Sequence, residues 1–80
     1  MLFLIEYDRS RAELVSIRAF GDAHLTTAEN ARIEREVILN RQGIEREIVL
    51  LEASSEQDLR KTHARYFTAL EALAGRAATA

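Results

Sequence analysis

Two stretches of this chain are apolar without alternation. In Met1–Tyr7, Phe3, Ile5 and Tyr7 point to one side of an extended strand, and Leu2 and Leu4 point to the other. In Arg46–Ala53, Ile48 and Leu50 oppose Val49, Leu51 and Ala53. A half-solvated strand alternates apolar with polar residues, so an unbroken run calls for cover on both faces. Ala12–Phe20 is a further strand, and its Glu13, Ser16 and Arg18 suit a sheet edge. The polar segment Asp8-Arg9-Ser10-Arg11 turns the first strand back into this one as a hairpin. A loop of about three residues sets Val15, Ile17 and Ala19 beside Phe3 and Ile5, with Leu14 and Phe20 beside Leu2 and Leu4. A loop one residue shorter or longer exchanges those sets, so the register stays open.

After Gly21-Asp22 breaks the strand, Thr26-Thr27-Ala28-Glu29 reads as a capping box, with Asp22 as a rival cap for an earlier start. The helix runs to about Gln42, where Gly43 supplies a left-handed stop. Its apolar residues point in several directions. Ile33, Val37 and Ile44 share one, Ala31 and Ile38 a second, and Leu25, Ala28 and Leu39 a third. A surface helix normally shows one stripe. Either the amphipathicity is imperfect, or the helix is covered twice, by its own sheet and by another subunit.

The second helix opens at Ser55, with Asp58 near its start. Leu59, His63, Tyr66, Leu70, Leu73 and Ala77 then follow helical spacing, which predicts one continuous helix. At about 1.5 Å per residue it spans ~27 Å, against ~23 Å for a strand of roughly seven residues. The helix outruns its sheet, leaving Leu70 and Leu73 to pack elsewhere, and the Ala-rich end at 75–80 frays.

The order β-β-α-β-α, with a right-handed crossover, predicts the α+β class. The expected fold is a small two-layer domain over residues 1–80: a three-stranded sheet of order 2-1-3 (a split β-α-β) with two helices. The order resembles, at fold level, the small hairpin-first nuclease cores. The tripeptides that define those cores are missing, because Leu4-Ile5-Glu6 and Ser16-Ile17-Arg18 stand in the first two strands, so nothing is carried over.

Composition narrows the classes. Eighty residues give a marginal core, for which oligomerisation is a common remedy. There is no cysteine, hence no disulfide frame, thiolate zinc site or cysteine nucleophile, which fits a cytoplasmic protein. The apolar start is too short for a signal or membrane segment. The net charge of −2 is uneven: residues 1–58 carry seven Arg against twelve Asp/Glu, and residues 59–80 carry three Arg and Lys61 against Glu71.

Candidate chemistry is sparse. His63 and Tyr66, one turn apart, could line a small ligand pocket or serve a cofactor-free enzyme, although no orienting partner for His63 is evident. Asp22 and His24 offer at most two metal ligands. Glu6, Tyr7 and Asp8 end the first strand near the turn, where solvent accounts for the charges. Arg60, Lys61 and Arg65 form an anion patch, but Glu56 and Asp58 are spaced to neutralise it, and the acidic balance argues against a nucleic-acid binder. No catalytic, cofactor or metal set is assigned. The expected function is a small non-enzymatic interaction module that self-associates, or that joins an unidentified protein partner. Leu2, Leu4, Ile38, Leu39, Leu70 and Leu73 are the expected interface.

Overall fold

β1 (Leu2–Asp8) is buried along its whole length, which is what a strand apolar on both faces requires. It lies between β2 (Glu13–Phe20) and β3 (Glu47–Glu52) in a three-stranded sheet of order β2-β1-β3, antiparallel to both. The computed structural model describes residues 1–67. Class, strand order and two-helix content are those expected from the sequence. The helices α1 (Leu25–Gln42) and α2 (Glu56–Thr62) take opposite faces of the sheet, so the layering is helix, sheet, helix rather than two-layered. The doubly apolar β1 is the physical reason.

On one face, Phe3, Ile5 and Tyr7 pack with Leu59, Tyr66 and Phe67, flanked by Leu14, Ile17, Val49, Leu51 and Ala53. On the other, Leu2, Leu4 and Glu6 lie beneath α1 with Ala28 and Leu39. The hairpin resolves the open register in an unanticipated way. Phe3 opposes Ala19 and Ile5 opposes Ile17, but a bulge between Glu6 and Tyr7 pairs Tyr7 with Leu14. The extra residue turns Leu14 to the core and leaves Val15 45% exposed.

Two helix boundaries differ from the sequence reading. α1 starts at Leu25, behind a 3-10 turn at Asp22–His24, and no side chain caps it. Asp22 instead pairs with the Met1 ammonium at 2.6 Å, so Thr26 lies inside the helix and its capping box does not form. Gly43 does end α1 left-handed (φ 68°), with Ile44 N–H donating to the Leu39 carbonyl at 3.0 Å.

The second difference is the end of α2. Ser55 caps it as expected, accepting from Asp58 N–H at 3.1 Å, but the helix stops at Thr62 and a 3-10 turn follows at Ala64–Tyr66. The Thr62 hydroxyl bonds back to the Asp58 carbonyl at 3.1 Å, and His63 leaves helical geometry. The tighter turn brings both Tyr66 and Phe67 onto the sheet, where they are buried. Within the described residues the expected long helix is therefore broken, while Leu70, Leu73, Ala77 and the segment 75–80 expected to fray lie outside them.

Candidate functional site

α1 is turned so that polar side chains meet its own sheet. Between the buried Ala28 and Leu39, Arg35 reaches down to Glu6 on β1. Ile33 and Val37 lie roughly 130–170° round the helix from the Ala28–Leu39 line, at about 100° per residue. They are 50% and 42% exposed. Leu25, Ile38 and Ile44 are exposed on its flanks and at its end.

The buried carboxylates explain that rotation. The Glu6 side chain is only 5% exposed and receives Arg35 Nε at 2.6 Å and Nη2 at 3.4 Å. Arg46, just before β3, lies 3.4 Å from Glu6 and 3.6 Å from Asp8. Burying an unpaired carboxylate is costly, so the helix presents its arginine here rather than an isoleucine. Solvation therefore does not account for Glu6, contrary to the sequence reading.

Asp8 holds the hairpin turn, accepting from Ser10 Oγ at 2.7 Å, Ser10 N–H at 3.0 Å and Arg11 N–H at 3.2 Å. The Ser10 hydroxyl, the Arg11 amide and the Arg46 charge keep its carboxyl below the usual range despite some desolvation.

A second cluster sits on the opposite face of the same sheet end. Glu47 takes Arg65 at 2.6 Å and Arg9 at 3.3 Å, and the Tyr66 hydroxyl lies near enough to help hold its charge. Burial pushes the Glu47 carboxyl up, yet the bond from Arg65, the Tyr66 hydroxyl and the two cations bring it net below its ordinary value. Tyr66 is pushed up, by burial first and by the Glu47 carboxylate second. Its ring meets Tyr7 edge-on at 5.2 Å, and Arg65 lies over it at 4.7 Å. These carboxylates are ionised acceptors locked by arginines. General acid catalysis needs a carboxyl held protonated, which neither Asp8 nor Glu47 supplies.

The sequence-predicted residues are placed as follows. Leu2 and Leu4 are buried beneath α1 and Leu39 is buried on the sheet-facing side of α1 (8%, 8% and 4% exposed). Ile38 is exposed at 37%, while Leu70 and Leu73 lie outside the described residues. The His63 backbone N–H closes α2 on the Leu59 carbonyl at 2.8 Å, and the Tyr66 ring is buried against Tyr7 and Arg65. Arg60 pairs with Glu56 at 3.3 Å and covers the Phe67 ring, and Arg65 pairs with Glu47. Of the anion patch, Lys61 alone has no such partner among the described residues. Asp22 and His24 share the 3-10 turn before α1, with Asp22 held by Met1. The residues missed as interface candidates are Ile33, Val37, Leu25, Ile44 and Val15. For the α1 residues the signal was the scatter of apolar directions around the helix, and for Val15, on β2, there was none.

Among the described residues, no helix is long and apolar enough to cross a membrane. Comparison with protein-family models, curated proteins and solved structures finds no match.

Proposed function

We propose that this protein is a small non-enzymatic interaction module that works as a homodimer or as the subunit of a larger assembly, in the cytoplasm. The observation that supports this most is the outward face of α1. A helix that meets its own sheet through Arg35 and shows Ile33 and Val37 to solvent is oriented for a second covering surface. Exposed Leu25, Ile38 and Ile44 extend that surface. The charged clusters support the same reading, because their carboxylates are engaged by arginines and none stands free for catalysis.

Sedimentation equilibrium across a wide concentration range tests the proposal. A species of twice the 9.1 kDa chain mass, or a higher multiple, is expected. A monomer at every concentration removes self-association and leaves only a foreign partner, to be sought by pull-down.

A further inference from the structure

The contact that joins two copies can be read from the hydrogen-bonding phase of β3, on the premise that the protein self-associates. Met1 and Ala53 bond each other in both directions, at 2.9 and 3.0 Å. Bonded and non-bonded pairs alternate along an antiparallel ladder, so Leu51, Val49 and Glu47 also direct their N–H and C=O groups to β1. Ile48, Leu50 and Glu52 direct theirs outward, where no other described strand lies.

Among the described residues this edge lacks much of the usual protection. It has no proline, no lysine and no bulge, and it is half-buried and apolar at four consecutive residues. A groove of about 510 Å³ runs along it, lined by Ile48–Glu52 on one side and by Leu25, Glu29 and Arg32 of α1 on the other.

We infer that β3 pairs antiparallel with β3 of a second copy, making one six-stranded sheet across a two-fold axis. Directly opposed residues share a face, so the axis passes through a residue pair, and the side chains select which pair. With Val49 opposite its own copy, Ile48 faces Leu50, and Glu52 faces Arg46, which adds this carboxylate to those of Glu6 and Asp8 in its own chain, each twice by symmetry. Opposite charges meet and no like charges do. A shift to centre on Leu50 sets Ile48 against Glu52 and loses the ion pair.

The same operation uses the exposed helix face. α1 lies over β1 and β3 rather than over β2. With strands ~4.8 Å apart, a helix midway between β1 and β3 comes ~10 Å from its copy, an ordinary helix-packing distance. Leu25 and Ile33 stand on that flank, so strand edge and helix face form one surface. The alternative occupant is the chain's own segment 68–80, but its six alanines make it a poor strand former beside Ile-Val-Leu-Leu.

Because the chain has no cysteine, single-cysteine variants report the register cleanly. On mild oxidation Val49→Cys is expected to give a disulfide-linked dimer and Leu50→Cys little, since non-bonded cross-strand pairs bring Cβ atoms within roughly 4.5–5.5 Å. Glu52→Arg, at an exposed position, is expected to weaken association roughly tenfold at low salt without changing the melting temperature at concentrations where the chain is monomeric. A wild-type dimer in which Val49→Cys fails to cross-link and Glu52→Arg has no effect overturns this contact and leaves self-association standing. A Leu50→Cys dimer in place of the Val49→Cys one overturns the register. A wild-type monomer at all concentrations overturns both the contact and the premise.

Discussion

Arg35 of α1 grips Glu6 of β1 with two nitrogens, Nε at 2.6 Å and Nη2 at 3.4 Å, and so fixes the rotation of the helix on the sheet. Glu6 is the buried member of this pair and Arg35 remains 42% exposed. Glu6→Ala leaves Arg35 and Arg46 without their buried acceptor. The expected loss is on the order of 2 kcal/mol, below the range for fully buried pairs because Arg35 keeps water contact. Urea titration checks it. In Glu6→Leu with Arg35→Leu the apolar replacement should recover much of that loss, and an unrecovered double variant would place the pair's value in specificity rather than in burial.

The two faces of α1 make opposite predictions. Leu4→Ala removes a buried side chain beneath the helix and should cost about 2–5 kcal/mol. Ile33→Glu and Val37→Glu alter exposed positions and should leave chemical denaturation within about 0.5 kcal/mol. Dimer dissociation, followed by sedimentation, is where the second pair should differ from wild type. Unfolding by Val37→Glu would mean that this face is core.

Much of the fold was legible because it rests on local pattern. The doubly apolar β1 announced its central place, and Gly43 announced the end of α1. The rotation of α1 was not legible, because it depends on a carboxylate and an arginine 29 residues apart. Without knowing that Glu6 is buried, nothing in the helix ranks Arg35 above Ile33 as the sheet-facing residue. The end of α2 was hidden for a different reason. Leu59, His63 and Tyr66 keep helical spacing in sequence, but Thr62 draws its hydroxyl to the preceding turn and the backbone tightens. The Val15 bulge had no signal, since Leu14 and Val15 are both apolar and either could face the core.

Acid should loosen the charged end of the sheet first. Asp8 and Glu47 both have folded-state values below their ordinary ones. A depressed carboxyl stabilises above its unfolded pKa, and that stabilisation disappears as pH falls through the folded value. Stability should thus be flat from neutrality to about pH 5 and decline below about pH 4. Asp8→Asn with Glu47→Gln should flatten the decline, measured by thermal melts across that range. A double variant with the wild-type slope would assign acid sensitivity to other carboxyls.

Tyr66→Phe isolates the hydroxyl of the same cluster. The ring contact with Tyr7 is retained, and only the hydroxyl's polar interaction with Glu47 is lost. A loss of about 1 kcal/mol is expected. At the alkaline end the sign reverses from the carboxylate case. The Tyr66 value is raised, so its contribution is complete below about pH 10 and is lost as pH rises through the folded value. Tyr66→Phe should therefore melt less steeply with pH above that point than wild type. Absorbance at the phenolate band supplies an independent titration of the same group.

The hairpin turn carries a strain that a single substitution can relieve. Ala12 has φ 52°, a left-handed conformation in which its Cβ crowds the backbone. Asp8 holds the turn in place through three bonds to Ser10 and Arg11, so the chain cannot relax by moving Ala12 alone. Glycine removes the crowding but adds freedom to the unfolded chain. The left-handed penalty is roughly 1–2 kcal/mol and the entropy cost roughly 0.5–1. Ala12→Gly should therefore raise stability by up to about 1.5 kcal/mol, and Ala12→Asn should also gain. Gly43, at φ 68° with open space around its would-be Cβ, provides the converse. Gly43→Ala meets no steric neighbour, so its cost is conformational only, about 1 kcal/mol. Paired urea titrations decide: a gain at position 12 with a loss at position 43 follows from backbone handedness, and losses at both would show that the Ala12 methyl is needed in the turn.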